Sequence, residues 1–152
     1  MPKKVFLCLL FLGIAGCAQH QSSTIPVGLS NGLDVGFPAN GVSRIEGEDI
    51  RFYGERGFHG YVQKEILPKE HQPATDFVER ALELSKKKDW KIKEISKDGY
   101  VGYVGYVGYV VYVENTATLH LASDQDAETV FTISTADQDK IDDVIATLKT
   151  PR

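Results

Sequence analysis

WKIKEISKDGYVGYVGYVGYVVYVENTATLHLASDQDAETVFTI, residues 90–133, is the stretch that decides the fold. Trp90 to Ser96 reads as a strand, and Asp98-Gly99 is a favoured pair for a tight hairpin turn. Tyr100 to Val113 reads as a second strand, because tyrosine and valine suit a pleated, half-buried surface. Asn115 to Ala117 supplies a turn, Leu119 and Leu121 alternate with polar neighbours, Asp124 to Ala127 turns again, and Phe131 and Ile133 mark a fourth strand. Connections this short join antiparallel neighbours.

Working outward, Ile50 and Phe52 alternate with Arg51 and Tyr53, and a glycine loop from Gly54 to Gly60 leads to a strand from Tyr61 to Leu67, ended by Pro68. A helix follows. Asp76 with Glu79 has capping-box spacing, Phe77, Val78, Ala81, Leu82 and Leu84 make an apolar stripe, and Lys86, Lys87 and Lys88 sit where cations suit the helix dipole. The same three lysines also have the chemistry to meet anionic lipid or lipopolysaccharide phosphate. On the other side, Thr135 and Gln138 form a second capping-box pair, and Ile141, Val144, Ile145 and Leu148 recur at helical spacing. The expected fold class is α+β: a mostly antiparallel sheet of about five to six strands with two helices covering one face, in the order β-β-α-β-β-β-β-α.

The triplet repeat YVGYVGYVGYVVYV, residues 100–113, holds five of the seven tyrosines. In a straight strand Tyr100, Tyr106 and Tyr112 face one side and Tyr103 and Tyr109 the other. Fourteen extended residues reach about 46 Å at ~3.3 Å each, longer than a domain of this size, so the strand must bend, bulge or protrude. Its neighbours are shorter, which leaves backbone to be paired by something else, and an uncharged edge of high β propensity is adhesive. Tyr100, Tyr103, Tyr106, Tyr109 and Tyr112 are therefore the candidate interaction edge. The competing reading is that copied triplets merely extend an ordinary strand as a tolerated loop or hairpin. Glycines at 102, 105 and 108 lack the spacing of a dinucleotide phosphate cradle, and the absence of proline excludes a collagen helix.

The amino terminus, MPKKVFLCLLFLGIAG, has two lysines, a ten-residue apolar run from Val5 to Ile14 and then small residues. This is the layout of a secretory signal, and the run is half the ~20 residues a spanning helix needs. Ile14-Ala15-Gly16-Cys17 resembles the lipobox of bacterial lipoproteins. That resemblance implies cleavage between Gly16 and Cys17 and attachment of a diacylglyceryl group to the Cys17 sulfur, with a further acyl chain on its nitrogen. Such chains anchor the protein firmly. It also implies residence on the outer membrane facing the periplasm, since Ala18 stands where aspartate typically retains a lipoprotein on the inner membrane; in a one-membrane host the same anchor holds the domain on the cell surface. The mature chain is then expected to comprise a flexible tether over 17–42, rich in Ser, Gly, Asn, Gln and Pro, and a single small domain over 43–152. Within the tether, Leu33 to Phe37 has the makings of an edge strand.

Composition narrows the function by exclusion. Lys3 and Lys4 are the only charged residues among the first sixteen, so without them 15 basic residues face 21 acidic ones, a net charge of −6 that argues against nucleic-acid binding. Cys8 leaves with the signal and Cys17 is lipidated, which rules out a cysteine nucleophile. His20, His59, His71 and His120 show no paired metal-ligand spacing, and His120 is placed on the outward face of its strand. Asp124, Asp126 and Glu128 have alternate acidic spacing, but Thr129 and Thr135 stand where a calcium loop needs glycine and glutamate. No catalytic residue, metal or cofactor is expected. Charge is segregated: seven basic residues against three acidic between Arg80 and Lys97, and eight acidic against Lys140 alone between Glu114 and Asp143. The expected function is a lipid-anchored, non-enzymatic binding or assembly module with an envelope protein or a second copy as partner. An envelope hydrolase using carboxylates or His120, and a passive surface antigen, are the alternatives.

Overall fold

The computed structural model describes residues 24–38, 42–46, 49–53 and 58–149. Among these, five strands precede the first helix: β1 (Thr24–Gly28), β2 (Asp34–Pro38), β3 (Val42–Glu46), β4 (Asp49–Tyr53) and β5 (His59–Ile66). Then come α1 (Ala74–Lys86), β6 (Lys91–Lys97), β7 (Tyr106–Val113), β8 (Thr116–Ser123), β9 (Thr129–Thr135) and α2 (Gln138–Ala146). From β4 onward the order is the expected β-β-α-β-β-β-β-α of an α+β domain. The main sheet has seven strands in the order β3-β4-β5-β9-β8-β7-β6, every neighbouring pair antiparallel. Two meanders, β3–β5 and β6–β9, meet where β5 pairs with β9, and α1 carries the chain across to the far edge.

The helices cover opposite faces, a correction to the expectation that both lie on one. The reason is in the inner strands. On β7, Tyr109 and Val111 point one way and Val110 the other, and all three are buried, so each face needs a cover. On the first face α1 presents Ala74, Val78 and Leu82 to Tyr109, Val111, Ala122 and Val130. On the second, α2 presents Ile141 and Val144 to a core containing Val110, Leu119, Leu121, Phe131 and Ile133.

The second face is completed by residues expected to form a tether. Thr24–Pro38 is instead an antiparallel hairpin, β1 with β2, whose Leu33, Val35 and Phe37 are buried in the same core as α2. Phe37 stacks on Phe52 at 4.5 Å and meets Phe58 edge-on at 4.9 Å. Thr147 ties α2 to the hairpin: its Oγ1 accepts from Gly36 N at 2.6 Å and lies 3.1 Å from Gly36 O. Alternate apolar residues among Gly, Asp and Pro make a half-buried hairpin rather than a solvated linker.

Both expected capping boxes are displaced. The first helix starts at Ala74, ahead of Asp76, with Pro73 as its N-cap. The second is capped by Asp137, whose carboxylate accepts from Asp139 N at 3.2 Å, while Thr135 Oγ1 accepts from Asp137 N at 3.1 Å. Thr135 is the last residue of β9 and so belongs to the sheet.

Candidate interaction surface

The triplet repeat builds two different things. Its second half, from Tyr106, is strand β7, next to the sheet edge and hydrogen-bonded to β6 over Lys91–Lys97 and to β8 over Thr116–Ser123. Both backbone edges of β7 are thus occupied, which corrects the expectation of an unpaired adhesive edge along 100–113. Its first half is a hairpin tip. Tyr100 N donates to Tyr103 O at 3.2 Å and Tyr103 N to Tyr100 O at 2.8 Å, closing a two-residue turn at Val101-Gly102 in the same register as the Lys97–Tyr106 pair. The reversal therefore falls at Val101-Gly102 and not at Asp98-Gly99. Gly102 has φ +85°, the left-handed conformation that the third position of a type II turn requires.

The turn redistributes the five tyrosines. Tyr109 is buried beneath α1 and Tyr106 and Tyr112 border the core on the α2 face, in keeping with strand alternation. Tyr100 and Tyr103, expected on opposite faces, instead lie side by side across the turn with ring centroids 4.4 Å apart. With Val101 they make the tip: Val101 is 99% exposed, Tyr100 58% and Tyr103 37%. Burial pushes the Tyr109 phenol above its ordinary value, and the Tyr112 phenol is raised first by burial and then by Asp142.

The base of the tip is fastened to the β8–β9 turn. Gly105 N donates to Asp124 Oδ1 at 3.0 Å, and Asp124 N donates back to Gly105 O at 3.0 Å. Asp126 Oδ1 accepts from Glu128 N at 2.9 Å and Thr129 N at 3.1 Å. These carboxylates hold turns together, and among the described residues no group of three His, Cys, Asp or Glu side chains is placed to hold a metal ion.

His120 is half-buried on the α1 face, a correction to its expected outward placement. Its ring lies 5.0 Å from that of Tyr109, its Nδ1 is 3.3 Å from Thr132 Oγ1, and burial lowers its pKa. On the same face, beyond the reach of α1, Tyr53 meets His59 edge-on at 6.1 Å and Tyr61 pairs across to Ser134. The expected Gly54–Gly60 loop hides this aromatic row: His59 and Gly60 are the first residues of β5.

The segregated charges lie on different elements. The basic stretch forms the second half of α1 and the outer strand β6, while much of the acidic stretch lies on α2 and its cap, the two being linked by Lys93 to Asp142 at 2.7 Å. Lys91, Lys93, Glu94 and Lys97 guard the outer strand against adding a further chain. Gly16 and Cys17 lie outside the described residues, and among the described ones no helix is long and apolar enough to cross a membrane. No protein-family model matches the chain, and no curated protein is significantly similar to it.

Proposed function

We propose that the chain is a lipid-anchored cell-envelope lipoprotein, held by acyl chains on Cys17 at the outer membrane facing the periplasm, which acts as a non-enzymatic binding and assembly module. The Tyr100–Tyr103 tip is its docking element. One observation carries this reading: an uncharged, aromatic hairpin tip with Val101 99% exposed stands clear of a domain whose other apolar side chains are largely gathered into two cores. Tyrosine rings supply large contact area at small entropic cost, which suits them to anchor an interface.

The test is cross-linking in intact envelopes followed by affinity purification of the full chain. The expected result is a homo-oligomer or a recurrent envelope partner that disappears when Tyr100→Ser, Val101→Ser and Tyr103→Ser are combined. A strictly monomeric, partnerless chain overturns the docking role. Mass spectrometry of the mature chain tests the anchor: an unmodified Cys17 thiol overturns it.

A further inference from the structure

The strand pairings order the two ends of the domain. At one end Lys91 pairs with Tyr112, Val113 with Thr116, Ala117 with Thr135, Thr135 with Gly60 and Gly60 with Phe52. Phe58 N donates to Pro38 O beside this row, and Pro38 pairs with Thr24, so the first described residue of the chain lies at this same end. At the other end Tyr106 pairs with Ser123, whose Oγ donates to Asn31 O in the β1–β2 turn, and the tyrosine tip extends beyond them. The chain thus enters at the end of the sheet opposite the tip.

The end of α1 also arrives there. Ala74 N is bonded to Ala127 O at the tip end, so the helix runs away from the tip and delivers Lys87 and Lys88 to the entry end. Asp89, at φ +56°, reverses the chain into Trp90 and Lys91. Two exposed apolar side chains, Leu84 at 59% and Trp90 at 42%, flank Lys87 and Lys88 in this corner. Lys88 Nζ lies 4.6 Å above the Trp90 ring, whereas Lys91 turns to the α2 face, its Nζ 4.8 Å above the Tyr112 ring. At the same end Glu114, Asp137 and Asp139 cluster around the start of α2 on the opposite face; on the α1 side Lys86 is paired with Glu83 at 2.7 Å and Glu94 at 2.8 Å, and Asp89 lies in the corner itself, so the corner's positive charge is carried by Lys87 and Lys88.

We infer that Leu84, Lys87, Lys88 and Trp90 form a second membrane contact, which lays the α1–β6 corner on an anionic lipid surface and directs the tyrosine tip away from it. The inference rests on the proposed lipid attachment, because Cys17 puts a bilayer within reach. Six residues separate Cys17 from Thr24, about 24 Å at full extension. From β5, beside the entry point, to β6 is four strand spacings, about 19 Å. The linker is long enough for the corner to touch the surface and too short to let the domain wander far from it. Tryptophan favours the headgroup region, and lysines next to an anionic leaflet each raise binding roughly fivefold. Tilting the corner down also moves the acidic start of α2 away from the phosphates.

Trp90 is the sole tryptophan, so its fluorescence reports this corner alone. The full chain, purified from membranes, is mixed with vesicles whose acyl chains are brominated, made either of phosphatidylcholine or of equal parts phosphatidylcholine and phosphatidylglycerol. Expected are a blue shift and strong quenching on the anionic vesicles, weak quenching on the neutral ones, and loss of the difference in high salt or on combining Lys87→Glu and Lys88→Glu. Flotation with the neutral vesicles scores the lipid anchor separately. A chain that floats but whose Trp90 is not quenched, or is quenched equally by both vesicles, overturns the second contact and leaves the anchor standing. A chain that does not float on neutral vesicles overturns the anchor, and quenching on the anionic ones still decides the corner.

Discussion

Asp124 and Gly105 hold each other twice, through Gly105 N to Asp124 Oδ1 and Asp124 N to Gly105 O, both at 3.0 Å. Gly99 sits against the same place: a Cβ on Gly105 would come 2.5 Å from Gly99 N and 2.7 Å from Asp124 Oδ2. The tip is therefore clamped at its base and open at its end, where a Cβ on Gly102 would meet nothing within 4 Å. Gly105→Ala is expected to lower stability by about 1–3 kcal/mol through overpacking, and Asp124→Ala by about 1–2 kcal/mol through a stranded amide. Gly102→Ala carries only the cost of an L-residue at positive φ, about 1 kcal/mol. Urea unfolding of the three variants checks the order; equal losses at 102 and 105 would show that the base is not clamped.

A second glycine is constrained by backbone alone. Gly60 pairs with Thr135, and a Cβ there would lie 1.8 Å from Ser134 O, with no flexible side chain to give way. Gly60→Ala is expected to force β5 from β9 at the junction of the two meanders, costing about 3 kcal/mol or more. Amide exchange should speed up along Tyr61–Lys64 before it does so in β7. Unchanged protection there refutes the assignment of Gly60 as the close-approach point.

His120 makes stability depend on pH with a definite sign. Burial lowers its folded pKa below the ordinary 6.5, so the unfolded chain takes up the proton first as pH falls. The stability associated with the neutral imidazole is present in full above about pH 6.5 and is lost as pH drops from there through the lower folded value. His120→Gln should flatten this part of the profile while leaving the acid limb of the carboxylates in place. Thermal melts of both proteins from neutral pH to about pH 5 decide it, and parallel curves would count against His120 as the source.

How much of this was legible beforehand depends on whether local chemistry or tertiary packing decided the matter. The β4-to-α2 order was readable because alternation and helical spacing are local, as in Leu119 and Leu121 or Ile141 and Val144. The turn position was not, because Asp98-Gly99 and Val101-Gly102 are both competent turns and the choice falls to the register that pairs Lys91 with Tyr112. Burial of both sides of β7 depends on where α1 and α2 dock, which no single strand encodes. The tip itself is half legible: the repeat points to Tyr100 and Tyr103, but strand alternation makes them members of an edge and not partners across a turn.

The hairpin Thr24–Pro38 offers the sharpest contrast between composition and packing. Gly, Asp and Pro around isolated apolar residues look like linker, yet Phe37 is fully buried between Phe52 and Phe58, and Leu33 and Val35 are buried beside it. Asp34 and Lys149 also exchange backbone bonds, Asp34 N to Lys149 O at 3.0 Å and Lys149 N to Asp34 O at 2.9 Å, so the hairpin closes the domain across its whole length. Phe37→Ala is expected to cost about 3–5 kcal/mol, the range for emptying a buried phenylalanine site. In a solvated tether the same substitution would change stability by less than about 0.5 kcal/mol. Urea unfolding of the full chain separates the two values cleanly, and a near-zero loss would return residues 24–38 to the role of a linker and lengthen the reach from membrane to domain.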